Sequence, residues 1–186
     1  VIGSLLQVMD TPGLLERPDD FRNKMELLTL AALQYLPSSV MFVADLTEEC
    51  GTSVADQWLI RHELKQRFPD KPWVDVLSKA DLLQDIWQEA GALQQQQQHK
   101  QQVQQGWAAD AVTDVQDAVQ FAAALPSAVR VSSVTEAGFR QLQEELVVLL
   151  KSPAAVAQLA AAAAADAAAA EAEAEAVLPG RQLLVD

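Results

Sequence analysis

VMFVAD, residues 40–45, is a nearly continuous apolar run that ends on an acid. A strand without polar alternation must be covered on both faces, which predicts a central parallel strand. Upstream, RNKMELLTLAALQYL at residues 22–36 has little β-branching and stops before Pro37, and so reads as a helix. Downstream, Ser53 can cap a second helix, with Val54, Trp58, Leu64 and Phe68 near one side. Pro69 to Pro72 ends that helix, and WVDVLS at residues 73–78 reads as another strand, with Asp75 an unusual acid inside it. Further out, LLQVMD (5–10) is expected as a strand entering a turn at Thr11-Pro12-Gly13. Residues 110–124 are expected as a helix, AVRVS (128–132) as a strand and residues 136–151 as an amphipathic helix. In that last helix Phe139, Leu142, Leu146, Leu149 and Leu150 recur near helical spacing. Strands alternating with helices predict an α/β fold, a parallel sheet with helices on both faces.

Composition narrows the function. The 186 residues carry 13 Lys and Arg against 26 Asp and Glu, for a formal charge of −13. Phosphate binding over a broad surface needs clustered basic residues, so this balance argues against a general nucleic-acid face. A single cysteine, Cys50, excludes an internal disulfide framework, and His62 and His99 stand apart from any zinc spacing. Asp166 interrupts the alanine tract and leaves no charge-free apolar run of spanning length, so no membrane partner is expected. The chain begins at Val1 with no leader pattern, which is expected of a processed chain or a piece of a longer one. QQQQQHKQQVQQ, at about 94–105, is polar and of low complexity and reads as a solvated insertion. Residues beyond Pro153 are alanine-rich with Glu171, Glu173 and Glu175, and read as a lone helix or a disordered tail.

In parallel sheets ligands lie outside the carboxyl ends of the strands, which directs attention to those ends. Asp10-Thr11-Pro12-Gly13 is a DxxG pattern: an acid that can hold the water shell of Mg²⁺, then a glycine whose N–H can reach a terminal phosphate. An ordinary turn uses the same residues. Ser78-Lys79-Ala80-Asp81 is a variant of NKxD. Its aspartate can accept N–H bonds from N1 and N2 of guanine, a donor pair that adenine lacks. The Lys79 stem can pack along the base plane, and the Ser78 hydroxyl can replace part of the bonding of the usual asparagine. The plainer reading makes Asp81 a helix N-cap before Leu82. Ser132-Ser133-Val134 closes a further strand, where a serine and a following N–H can approach the base carbonyl. Each pattern is common alone; three in this order at successive strand ends point to a guanine-nucleotide domain.

The other polar and aromatic residues have simpler readings. Glu48-Glu49 and Asp19-Asp20 are expected as solvated loop acids, Cys50 as a packed thiol and His62 as a surface residue. Trp58, Trp73, Trp87 and Trp107 are expected to pack or to lie on exposed helices.

MDTPGLLERPDDFRNKMELLTLAAL, VMFVADLTEECGTSVADQ and WVDVLSKADLL together resemble the nucleolar GTP-binding protein family of Obg-related P-loop GTPases, and most closely its plant plastid branch. The resemblance covers about residues 5–83 well and 126–150 loosely. It implies that residues 1–152 are the carboxyl-terminal part of a GTPase domain, whereas the Gln-rich insertion and the Ala-rich acidic tail at 153–186 have no evident family role. It implies GTP or GDP as ligand with Mg²⁺ held through water by Asp10, and Gly13 at the terminal phosphate. Ser78, Lys79 and Asp81 would recognise the base, with Ser132 and Ser133 beside it. It implies GTP hydrolysis coupled to assembly of the large ribosomal subunit, with pre-ribosomal RNA and proteins as partners. The implied compartment is the chloroplast, with the nucleolus as the alternative.

Departures from the family pattern bear on activity. GxxxxGK[ST] is absent: none of the 7 glycines precedes a lysine, and Gly51-Thr52-Ser53 lacks both the lysine and the glycine nest. The switch threonine is absent too, and Leu14 stands where many small GTPases carry a water-orienting glutamine. An N-terminally truncated fragment, inactive alone, is the expectation. A non-enzymatic interaction module, keeping the fold without turnover, is the alternative. A different Obg-like or bacterial GTPase is less consistent with the 25–36 and ECGTS segments.

Overall fold

The computed structural model describes residues 8–103 and 115–176. In chain order these form α1 (Lys24–Tyr35), β1 (Val40–Ala44), α2 (Val54–Arg67), β2 (Trp73–Leu77), α3 (Gln84–Val103), α4 (Ala118–Ala124), β3 (Val129–Arg130), α5 (Phe139–Leu150) and α6 (Pro153–Ala176). The sheet has the order β1-β2-β3 with both pairs parallel, and Val40 faces Trp73 while Val76 faces Val129.

Side chains of period two divide the sheet into two faces. Phe42, Ala44, Trp73 and Leu77 face one side, where they meet Leu30 of α1, Trp58, Ile60 and Leu64 of α2, and Phe121 of α4. Val74, Val76, Val129 and Val131 face the other side, against Leu142 of α5. Helices therefore cover both faces, and the fold is α/β with a parallel sheet.

Caps set the helix boundaries. Asn23 accepts from the N–H groups of Met25 and Glu26, and the Glu26 carboxylate accepts from the Asn23 N–H at 2.8 Å. This reciprocal capping box starts α1 two residues later than the apolar pattern suggests. Ser53 caps α2 as expected, at 3.1 Å from the Asp56 N–H. Gly138, in the left-handed region at φ 80°, starts α5. A Cβ there would lie 1.9 Å from the Arg130 carbonyl oxygen, so only glycine lets α5 approach the end of β3 this closely.

The expected strand at 5–10 is corrected in part: Val8, Met9 and Asp10 carry no strand, and residues 5–7 lie outside the described residues. A strand exists only by its ladder, and no described strand pairs with this segment. Residues 110–114 of the expected helix also lie outside the description. Gln94, which begins the glutamine run, is half-buried in α3 and donates to the Ala123 carbonyl of α4 at 3.0 Å. Beyond Pro153, Ala155 is buried, Gln158 bonds the Asp70 carbonyl, and Ala163–Ala169 are exposed. Among the described residues no single helix is long and apolar enough to cross a membrane; α5 with the start of α6 meets that test only as a pair bent by 52°.

Candidate functional site

The three strands end at one edge of the sheet, and the loops that follow β1, β2 and β3 are tied to one another there. Ser78 N–H and Oγ both donate to the Ala44 carbonyl, at 2.9 and 3.0 Å, fixing the β2 loop to the end of β1. The Ala80 N–H donates to the Val131 carbonyl at 3.0 Å, fixing the same loop to the end of β3. Between these anchors Lys79 adopts φ 53°, a left-handed conformation unusual for a residue with a side chain. Residues 80–82 make one 3-10 turn, and the Trp87 indole of α3 donates to the Ala80 carbonyl at 3.0 Å.

Asp81 sits in this turn half-buried, and its carboxylate has no protein partner among the described residues. The cap position of the turn belongs to Lys79, and no side chain caps it, so the plainer N-cap role for Asp81 is not what the fold uses. A carboxylate that folding leaves free can accept two N–H bonds from a ligand.

The loop after β3 is held by Ser132, whose side chain is buried and accepts from the Val134 and Thr135 N–H groups at 3.2 and 3.1 Å. Its own N–H donates to the Ala137 carbonyl. Ser132 therefore shapes the loop, whereas Ser133 is exposed. Across the sheet edge, Arg130 lays its guanidinium over the Trp87 ring, 4.4 Å from the centroid.

The Lys79 ammonium is held by two carboxylates although its side chain is 36% exposed. It donates to Asp45 Oδ2 at 2.8 Å and Glu49 Oε2 at 2.7 Å. These bonds raise the lysine above its usual range. Burial alone would raise the Asp45 carboxyl, but the Lys79 ammonium and the donors of Thr47 hold it below its usual 3.8. Thr47 Oγ1 donates to Asp45 Oδ1 at 2.6 Å and its N–H to the same oxygen at 3.0 Å. Gln57, buried on α2, locks the backbone here. Its Oε1 accepts from the Asp45 N–H at 2.8 Å, and its Nε2 donates to the carbonyls of Asp45 and Thr52 at 2.8 and 3.0 Å.

The loop acids are exposed as expected, and three of them also have partners. Glu49 is an ion-pair partner, Glu48 accepts from the Val54 N–H to hold the start of α2, and Asp19 pairs with Arg22 and Arg67. Asp20 remains exposed. Cys50 is exposed rather than packed, and Gly51 beside it adopts φ 81°. His62 is a surface residue as expected. Asp75 is explained: Arg61 grips it with two bonds of 2.7 Å and the Trp73 indole donates at 2.8 Å.

No contact among the described residues ties Asp10 or Gly13 to this edge. Both are exposed, no hydrogen bond or ion pair joins them to other described residues, and nothing lies within 4 Å of a Cβ built on Gly13. The chain becomes anchored just after them. The Leu15 N–H donates to Glu26 at 3.2 Å, and Arg17 pairs with the same carboxylate at 3.0 Å. The described residues hold no group of three His, Cys, Asp or Glu side chains that could bind a metal. They do not fit Mg²⁺ by themselves, since Asp10 offers one unsupported carboxylate.

Comparison with known proteins agrees with the resemblance where the site is densest. Residues 24–81 match the profile of the family Nucleolar GTP-binding protein 1. Proteins of that name align over less than half of this chain and a small part of their own length. The Arabidopsis thaliana relative is 42% identical over 77 residues, 41% of this chain and 12% of its own length. The Drosophila melanogaster relative is 35% identical over 89 residues, 47% of this chain and 14% of its own length. That of Saccharomyces cerevisiae is 35% identical over 77 residues, 41% and 12% of the two chains. The matched family segment runs from the first residue of α1 to Asp81 and contains Asp45, Glu49, Gln57 and Lys79. Through residues 24–81, this chain is similar to the nucleolar GTP-binding protein 1 family.

Proposed function

We propose that the chain contributes the base-holding part of a guanine-nucleotide site in a GTP-binding protein. One observation carries the reading: the Ser78–Asp81 and Ser132–Thr135 loops are joined by the Ala80–Val131 bond while the Asp81 carboxylate has no partner among the described residues. Neighbouring parallel strands thus present a fixed acceptor at their carboxyl ends, where such sheets hold ligands. Asp81 would accept from guanine N1–H and N2–H, the Lys79 stem would lie along the base, and Ser132 would hold the β3 loop so that Ser133 and its neighbours line the base edge. The names of the matched relatives support the guanine nucleotide as ligand.

GTP hydrolysis, an Obg-type domain and a role with pre-ribosomal RNA and proteins of the large subunit are the wider proposal, supported by the resemblance. The relatives' names favour the nucleolus over the chloroplast as the compartment. The roles of Asp10, holding Mg²⁺ through water, and of Gly13, at the terminal phosphate, rest on the resemblance alone. The sequence contains no GxxxxGK[ST] loop, which favours a second reading in which these residues bind without turnover. Phosphate-loop N–H groups, the lysine and the Mg²⁺-binding hydroxyl are the main holders of a triphosphate. Without them, affinity for GDP should be millimolar.

Asp81→Asn tests the reading. It replaces an acceptor with an amide donor facing N1–H, and losing a charged two-bond contact costs about 3 kcal/mol, roughly a hundredfold. The variant should come to prefer XDP, whose base carries a carbonyl in place of the amino group. Titration of both forms with GDP and XDP at millimolar concentrations, followed by NMR, measures the preference. An unchanged preference refutes the assignment of Asp81.

A further inference from the structure

We propose that Asp45, seconded by Glu49, is the positioning residue of the base site: it holds the Lys79 ammonium so that the lysine stem stands as a fixed apolar wall beside Asp81. The inference rests on the reading of residues 78–81 as a base site and names the groups that prepare it.

Both ends of the Lys79 side chain are fixed. The backbone end is set by the left-handed conformation between the Ser78–Ala44 and Ala80–Val131 bonds. The ammonium end is set by two carboxylates at 2.8 and 2.7 Å. A free lysine loses rotamer entropy whenever a ligand pins it, so a lysine already pinned binds a flat ring at lower cost. The holder is itself rigid. Asp45 is about nine-tenths buried, its second oxygen is occupied by Thr47, and Gln57 bonds its N–H and carbonyl. Glu49 is different, with a side chain 63% exposed and a single contact, so it supplies charge rather than geometry. The two carboxylates also offset the ammonium's charge, leaving the methylenes as the part of Lys79 a base would meet. Nothing in this arrangement distinguishes guanine from other purines. It should govern how tightly a base is held, while Asp81 governs which base.

The test measures GDP and XDP binding to the chain, Asp45→Asn, Lys79→Met and the double variant. Asp45→Asn keeps the shape and the Thr47 contact to one side-chain atom while removing the charge that grips Lys79. It should weaken GDP and XDP alike, by roughly tenfold, the worth of one charge-assisted bond. Their ratio should stay as in the parent chain. In the Lys79→Met background the same substitution should change neither affinity, because the residue it acts through is gone. An Asp45→Asn effect of equal size in both backgrounds overturns the inference, as does unaltered GDP binding in the single variant. If Asp45→Asn does not fold, Glu49→Gln in the two backgrounds asks the same question from the exposed side: a loss confined to the Lys79 background supports the inference, and no loss or an equal loss overturns it. Asp81→Asn keeps the two levels apart. If it leaves base choice untouched, the base site itself is refuted and the positioning role falls with it. If it inverts base choice while Asp45→Asn has no effect, only the positioning role is lost.

Discussion

Replacing Arg61 by leucine should cost the domain about 3–5 kcal/mol. Arg61 on α2 meets Asp75 on β2 through Nε–Oδ1 and Nη2–Oδ2 bonds of 2.7 Å each, with the two side chains 10% and 13% exposed. Two charge-assisted bonds at roughly 1.5–3 kcal/mol each give a similar figure, and little solvent reaches the pair to screen it. The guanidinium also lies 5.3 Å from the Trp58 centroid and 6.0 Å from that of Trp73, contacts that leucine replaces only in their apolar part. After the substitution the Asp75 carboxylate keeps a single donor, the Trp73 indole, inside the layer between sheet and helix. The penalty is mostly that stranded charge. Asp75→Leu added to Arg61→Leu should therefore recover much of the loss, since a buried pair replaced by apolar residues is often neutral. Urea denaturation followed by tryptophan fluorescence measures all the forms. A loss below about 0.5 kcal/mol for Arg61→Leu would equate this pair with a surface ion pair and refute the reasoning.

Gly138→Ala should destabilise by more than the roughly 1–2 kcal/mol of its left-handed backbone, because the added carbon meets the Arg130 carbonyl and one of the two backbones must move; a midpoint within experimental error of the parent chain would show that the β3–α5 junction yields freely. The Glu26 carboxyl is held below its usual 4.5 by the Asn23 N–H, against burial and with help from Leu15 and Arg17. Its contribution is fully present above about that value and is lost as pH falls through the lower native one, so Glu26→Gln should flatten the acid limb of the stability curve; identical acid limbs would contradict the assignment. Ending the chain after Ala165 should shift the denaturation midpoint by no more than about 0.5 kcal/mol, because Ala163–Ala169 are exposed. A larger loss would mean that the far part of α6 packs against the domain.

Patterns carried by adjacent residues were readable from the chain, and partnerships across it were not. VMFVAD and WVDVLS announce strands because a parallel strand covered on both faces needs unbroken apolar residues. Ser53 announces a cap because its partner is three residues away. Ser78, Lys79, Asp81 and Ser132 fall together because strand ends of a parallel sheet gather at one edge. Asp45 and Glu49 lie at a strand end, where the parallel-sheet rule points, but their role was hidden because their partner, Lys79, lies beyond α2 and β2 in the chain. Distance along the chain also hid Arg61 from Asp75. The signal that could have found Gln57 is its place on the α2 turn facing the end of β1, a position apolar periodicity does not mark. The end of LLQVMD departs from expectation for a different reason. Its composition suits a strand, but composition supplies no neighbour, and Val8–Asp10 find none among the described strands.

The two parallel pairings close very different lengths of chain. β1 meets β2 across α2 and short turns, while β2 meets β3 only after α3, the glutamine run and α4 have been traversed. Closing a longer loop is entropically dearer and slower, so β1–β2 with α2 is the natural nucleus and β3 joins late. The Asp45–Lys79 grip spans the early pair and can form with it. The Ala80–Val131 bond waits for the last strand. On this ordering Asp81 is set in place after the Lys79 grip has formed, and whatever delays β3 during synthesis delays completion of the proposed base site with it.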